Sequence, residues 1–181
     1  MPGQIVTQLA KLNGARVIAV DLDDTRLETA KKFGADIILN SGKCDGPKKI
    51  KEITKGLGAD VAIEISGAPS ALHDAIRCTA YSGRVVASGF IQGEPKGLYL
   101  GEEFHHNRIN LVCSQISGVD PSLSYRWNRL RLNHTVMDLQ KEGKLNLKGL
   151  ISHTIPFEEA AKAYEILDTA TREVLQMVLA L

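Results

Sequence analysis

The residues with the clearest chemical meaning are a glycine and an acid 18 positions apart, Gly3 and Asp21. Gly3 opens an apolar-periodic segment. Asp21 ends an apolar run, Val17-Ile18-Ala19-Val20, inside the stretch ARVIAVDLDDTR that runs from Ala15 to Arg26. A glycine at a helix start, with an acid about 20 residues on at the end of the next strand, is how a β–α–β unit holds a dinucleotide. The glycine allows close helix–strand packing beside the pyrophosphate, and the helix N-terminus offers free N–H groups to the phosphates. The acid accepts hydrogen bonds from the adenosine ribose hydroxyls. Asp21, followed by Leu22 and Asp23, favours NAD over NADP, because an acid here accepts from a free 2′-hydroxyl and repels a 2′-phosphate. The plainer reading is a strand-end acid that caps the following turn.

Other reactive side chains carry less. His105-His106-Asn107-Arg108 invites a metal or proton-transfer reading. On an extended segment, however, adjacent histidines point to opposite sides, and no third ligand lies nearby in sequence. A polar loop entering a strand is the better account. His134 falls on the apolar stripe of a helix and His153 in a strand before Pro156, so both read as structural. Cys113 reads as a small buried residue. Glu64 sits within an apolar strand, where a carboxylate requires a partner, and reads as a satisfied structural group. Trp127 reads as a core or interface anchor.

The elements that position these residues follow from periodicity and punctuation. Residues 4–13 carry Ile5, Leu9 and Leu12 on one helical face, ended by Asn13-Gly14. Strand Arg16–Asp21 follows, then a helix capped by Asp23 or Asp24, with Leu27, Ala30 and Phe33 inward and Gly34 as its stop. Asp36–Asn40 reads as a strand, and Pro47 starts a helix with Ile50 and Ile53 that Gly56 stops. Strand Asp60–Ile65, the turn Ser66-Gly67-Ala68-Pro69, a helix with Leu72, Ala75 and Ile76, and strand Arg84–Ser88 come next. Residues 92–107 form a looser connection before strand Ile109–Ser114. A helix over Ser124–Glu142 carries Trp127, Leu130, His134 and Met137 as its stripe. Strand Leu150–Ile155, helix Phe157–Asp168 and strand Val174–Leu181 close the chain. Apolar strands alternating with ten-residue helices imply a parallel sheet covered on both faces.

Composition bounds the function classes. The 181 residues suit one domain or one domain plus a piece of another. A net charge of +1, with basic residues scattered apart from Lys48-Lys49-Lys51 and Arg126/Arg129/Arg131, gives no footprint for nucleic acid or an anionic membrane. The three cysteines, Cys44, Cys78 and Cys113, are more than 30 residues apart and form no CxxC pair. Isolated cysteines and a start, Met1-Pro2-Gly3-Gln4, without a secretory pattern point to a reducing, cytoplasmic setting. No apolar run approaches the roughly 20 residues that span a bilayer.

Four segments in this order resemble the medium-chain, mostly zinc-dependent alcohol dehydrogenases. They are GQIVTQLAKLNGARVIAVDLDDTRLETAKKFGAD, GADVAIEISGAPSAL, GRVVASGF and ISHTIPFEEAAKAYEILD. The resemblance implies that Gly3 is the last glycine of the dinucleotide fingerprint, Asp21 the ribose-binding acid and Arg26 a basic residue against the adenosine. It places Ser66 and Gly67 beside the adenine and its ribose, and Ser88, Gly89, Phe90 and the backbone near Ser114 along the nicotinamide. The implied fold is α/β, a Rossmann-type doubly wound parallel sheet of order 3-2-1-4-5-6.

Met1-Pro2-Gly3 matches the last three fingerprint positions, so the first strand is expected to be missing, together with the N-terminal catalytic domain that would hold the zinc. The expectation is a fragment whose strands 3-2 are separated from 4-5-6. Residues 1–145 would form the NAD-binding domain, and 146–181 a strand-helix-strand that returns to the missing domain.

The implied reaction transfers a hydride between a secondary alcohol or polyol and NAD, with zinc lowering the pKa of the alcohol. No residue of this chain is expected to be catalytic, and the chain alone is expected to be inactive. Polyols, secondary alcohols and amino-alcohols such as threonine all fit. The expected partners are a small-molecule alcohol and further copies of the chain, joined along Ile109–Ile116, with neither nucleic acid nor membrane. Three alternatives stay open: a non-enzymatic dinucleotide-binding module, a zinc-free quinone or enoyl reductase of the same superfamily, and a methyltransferase of related fold. The last would need a motif that Ser66-Gly67-Ala68-Pro69 does not supply.

Overall fold

Turn chemistry sets where the elements begin. In the computed structural model, which describes residues 1–115, 118–170 and 173–181, Asp23 accepts from the Arg26 N–H at 3.0 Å and so starts α2 (Asp24–Lys32). Asp45 does the same through the Lys48 N–H, at 3.2 Å, for α3 (Gly46–Ile53). Each carboxylate satisfies a donor that the first helical turn leaves unpaired. Proline starts α1 (Pro2–Leu12) and α4 (Pro69–Cys78), where its missing N–H costs nothing. Asn13-Gly14 and Gly34 end α1 and α2 as expected, both glycines at positive φ (81° and 104°).

The strands are β1 (Ile18–Asp21), β2 (Ile37–Asn40), β3 (Ala59–Glu64), β4 (Thr79–Ala87), β5 (Asn110–Cys113), β6 (His153–Pro156) and β7 (Met177–Ala180). The remaining helices are α5 (Glu103–His106), α6 (Arg129–Lys141) and α7 (Ala160–Thr169). All strand pairs are parallel, in sheets β1-β2, β3-β4-β5 and β6-β7. This is the expected α/β class with the expected neighbours: the first two sheets match the 3-2 and 4-5-6 halves of the Rossmann order. Among the described strands, β1 and β3 each have one neighbour. Ile116, at the end of the expected Ile109–Ile116 edge, lies outside the described residues.

The chain divides into two compact units, Met1–Asn40 with Asn133–Leu181, and Ser41–Leu132. In the second, Leu72 and Ile76 of α4 pack on Val85 of β4 and on Ile109, with Ala62, Ala87 and Phe104 around them. In the first, the polar face of α1 is the buried one. Gln4, Thr7 and Gln8 are covered, while Leu12 is 47% exposed. Gln8 exchanges two hydrogen bonds with the Asn146 backbone, at 3.2 and 2.7 Å, and Gln4 donates to the Arg26 carbonyl at 2.9 Å. The apolar stripe of Ile5, Leu9 and Leu12 is thus the less buried face of the helix: amphipathicity marks the apolar face but does not say what covers it.

Three further expectations change: the extent and burial of the helix over 124–142, the core setting of His134, and the extended setting of His105 and His106. The helix expected over Ser124–Glu142 is shorter and buries none of its residues; Leu130 and Met137 are 66% and 61% exposed, and His134 is on the surface rather than in a core. Trp127 is half-buried beneath the Arg131 guanidinium, 4.3 Å from the ring centre. His105 and His106 lie in a helical turn rather than an extended segment, their rings edge to face at 5.6 Å. His153 is half-buried, with Nδ1 2.9 Å from the Ser152 hydroxyl.

Lys11 of α1 reaches both carboxylate oxygens of Asp36 at 2.9 Å, and Asp36 also accepts from the Val17 N–H at 2.7 Å. The Lys11 ammonium first, then the Val17 N–H, hold the Asp36 carboxyl below the usual carboxylate range. A lowered folded pKa means stability that is present above the unfolded value and lost as pH falls through the folded one. D36N should thus lower Tm by about 1–3 °C at pH 7, with the difference from wild type vanishing in acid. Thermal unfolding at the two pH values checks this. In the other unit, Ile76 is fully buried and Leu57 is 77% exposed. I76A should cost about 2–5 kcal/mol and L57A less than about 0.5 kcal/mol in urea unfolding.

Candidate functional site

The expected site residues form two clusters, one on each unit. In the first, β1 ends in Asp21, whose Oδ1 accepts from the N–H groups of Leu22 at 2.8 Å and Asp23 at 3.0 Å. The acid thus organises its own turn, as the plainer reading expects. Both bonds fall on Oδ1, and among the described residues Oδ2 receives none. Asn40, at the end of β2, steadies the same turn by donating to the Leu22 carbonyl at 3.1 Å and to Asp24 at 2.7 Å. Nothing in the sequence pattern singled out Asn40. The Gln4 bond to the Arg26 carbonyl joins the first turn of α1 to that of α2, so Gly3, Asp21 and Arg26 come together. The Met1 amine marks the same proximity: burial lowers its pKa, the Arg26 charge lowers it further, and the Asp21 charge opposes.

A dinucleotide requires open space at the fingerprint glycine. A Cβ built on Gly3 meets nothing within 4 Å. Gly3 is exposed at the N-terminus of an 11-residue helix, and the hydrogen bonds of the Asp21 carboxylate all fall on one of its oxygens.

The second cluster lies where β3, β4 and β5 end, the carboxyl side of a parallel sheet on which ligands of open α/β folds bind. The Ser88 and Gly89 N–H groups donate to the Glu64 carbonyl at 2.8 and 3.0 Å. The Ser114 N–H donates to the Ala87 carbonyl at 2.9 Å. Gln115, which no sequence signal marked, donates its amide to the Ser88 carbonyl. Phe90 is 73% exposed. Ser66, Gly67, Ser88, Gly89, Phe90 and Ser114 are thereby gathered at one sheet end.

Glu64 is buried, 5% exposed, beneath the second cluster. Its Oε1 accepts from the Ser66 N–H and hydroxyl, each at 2.6 Å, and from the Gly67 N–H at 3.0 Å. The expectation of a satisfied group holds for this oxygen alone, since Oε2 has no partner. Among the described residues, no group of three or more His, Cys, Asp or Glu side chains is placed to hold a metal ion, so the residues do not fit a zinc site. No described helix is long and apolar enough to cross a membrane.

The family model described as zinc-binding dehydrogenase matches residues 3–131. This chain belongs to that family of medium-chain dehydrogenases. It is 39% identical over 164 residues to a D-guloside 3-dehydrogenase of Escherichia coli (strain K12), covering 90% of this chain and 47% of that protein. It is 33% identical over 167 residues to an L-threonine 3-dehydrogenase of Pyrococcus abyssi (strain GE5 / Orsay), covering 91% and 45%. The crystal structure of an NAD-dependent alcohol dehydrogenase superposes with a TM-score of 0.78 at 28% identity, over 97% of this chain and 46% of that one. The chain spans just under half the length of the curated relatives it matches.

Cysteine chemistry separates cleanly in this structure. Cys113, expected to be buried, is exposed at the end of β5, as is Cys44 in its loop. Cys78 is buried in α4, and burial pushes its thiol up to about 11. At pH 8 in native buffer, a thiol reagent such as DTNB should titrate two cysteines rapidly and the third only in denaturant. C78A should abolish the reaction that appears in denaturant.

Proposed function

We propose that this chain forms the cofactor-holding part of an NAD-dependent dehydrogenase that moves a hydride between a secondary alcohol carbon and the nicotinamide. The observation that carries the reading is Asp21. One of its carboxylate oxygens is committed to the turn and the other is open, beside a glycine with room for a phosphate. In this reading Asp21 accepts from both ribose hydroxyls of the adenosine, Arg26 lies along the adenine, and the helix start at Gly3 donates N–H groups to the pyrophosphate. Ser66 and Gly67 contribute to the adenosine pocket. The backbone of Ser88, Gly89, Phe90 and Ser114 holds the nicotinamide carboxamide.

The hydride chemistry belongs to the nicotinamide when it is bound; these residues bind and orient it. No step of the reading runs through a metal held by this chain. Support also comes from the relatives, which match this same stretch although they are named for different substrates. What they share there suits the common cofactor rather than the individual substrate. The substrate of the whole protein is, in this reading, a small polyol, sugar derivative or amino-alcohol, and copies associate along β5.

Titration of NADH fluorescence tests the assignment. D21A should weaken NADH binding about ten- to hundredfold, the worth of about one hydrogen bond to a charged acceptor. Its effect on NADPH should be small or favourable. G3A should leave Tm unchanged, because its Cβ enters open space, yet weaken NADH several-fold by crowding the pyrophosphate. NADPH binding tighter than NADH in the wild type, or indifference to D21A, would overturn the reading.

A further inference from the structure

The buried acid at the end of β3 has no part in the hydride chemistry, yet it touches both turns of the second cluster. Its side chain holds the first turn, taking three donors from Ser66 and Gly67 on one oxygen. Its main-chain carbonyl holds the second, taking the Ser88 and Gly89 N–H groups. The two turns also meet each other directly. A Cβ on Gly89 would lie 2.1 Å from the Gly67 nitrogen and 2.6 Å from Glu64 Oε2. One on Gly67, whose φ is +75°, would lie 2.5 Å from the Phe90 carbonyl oxygen. Backbone rests on backbone there, so neither turn can shift without the other.

We propose that Glu64 is a positioning residue that locks the Ser66–Gly67 turn to the Ser88–Gly89 turn, so that the two segments assigned to the cofactor act as one rigid piece. The inference rests on the cofactor reading for its functional consequence, while the lock itself stands on geometry. A carboxylate is needed for two reasons. Three donors converging on one oxygen, two of them at 2.6 Å, suit a charged acceptor better than a neutral amide. A glutamine would also place its NH₂ where Oε2 now lies against Gly89, a buried position with no acceptor, or would turn that NH₂ toward three donors. Either choice loosens the turn without removing side-chain volume. The cost the native residue carries is the unpaired Oε2, a desolvated oxygen that a purely structural core would replace with an apolar group.

Amide hydrogen exchange on the full chain, wild type against E64Q, tests the lock, with NADH titration of both proteins beside it. Protection at Ser66 and Gly67 should fall at least about tenfold. Protection at Ser88 and Gly89 should fall with it, although their acceptor, the Glu64 carbonyl, is untouched by the substitution. The amides of the β3–β4 ladder, Val61–Ile63 and Val85–Ala87, should keep theirs, and NADH should bind E64Q at least about tenfold more weakly. Loosening confined to Ser66 and Gly67 would overturn the proposal, because the turns would then be independent. A uniform loss across β3 and β4 would overturn it in favour of a general stability role. Unchanged NADH affinity with both turns loosened would show that the lock does not position the cofactor. Absence of NADH binding in the wild type would instead sink the cofactor reading, and the exchange pattern would still decide the lock. If E64Q does not fold, S66A removes one of the three donors and should produce a smaller loosening at the same four amides. Loosening at two of them alone would again refute the coupling.

Discussion

A parallel strand cannot pass its chain to its neighbour through a tight turn; the chain must cross over and come back. That constraint governs this protein. Every described strand pair is parallel, so within each sheet the strands end on the same side, and the turns that leave them gather there. The β3-β4-β5 sheet shows the consequence. Residues 64–67, 88–90 and 114–115, distant in sequence, become neighbours because their strands run in register from Val61↔Arg84 to Ala87↔Cys113. Strand pairing brings these segments to one edge, and only the close approach of Gly67 and Gly89 asks for a particular residue type.

Gathering turns at one edge raises the cost of unpaired backbone donors, because a strand end that turns into a helix exposes several N–H groups at once. Acids meet that need throughout the chain. Asp21, Asp23, Asp45 and Asp120 each accept from N–H groups one to three residues ahead. This is local chemistry, written in the sequence as an acid just before a helix. It also explains why the plainer and the functional readings of Asp21 are not rivals. A carboxylate has two oxygens, and fixing one on the turn leaves the other without a role in the turn.

The elements were legible for the same local reason. Apolar periodicity and the Asp, Pro and Gly punctuation locate β1 to β3, β5 and α1 to α4 to within a few residues, because each signal acts over one turn or one strand; of β4 (Thr79–Ala87) they mark only the half after Gly83. What covers each face was not legible. Ile5, Leu9 and Leu12 form an apolar stripe, yet α1 buries Gln4, Thr7 and Gln8, since the residue that satisfies Gln8 is Asn146, 138 positions away. The Trp127–Met137 stripe and Cys113 failed in the same manner: their types suggest burial, and no local rule supplies the neighbour that would bury them. Asn40 and Gln115 were invisible because a side-chain amide that finds a backbone carbonyl across a sheet leaves no mark in spacing.

Glu64 shows where local and long-range reasoning part. Its sequence setting, an acid in an apolar strand, already demands a partner, and the turn two residues on provides one. The sequence does not reveal that the partner uses a single oxygen, nor that Gly67 and Gly89 approach until their backbones touch. Side chains at either glycine would hold the turns apart. Their absence creates a buried contact with room for a carboxylate and none for water to solvate its second oxygen. Asp21 and Glu64 thus perform the same act on their own turns and differ only in exposure. In the cofactor reading, the second oxygen of Asp21 is the one that meets the ribose. Glu64, with its second oxygen enclosed, can only hold the turns themselves.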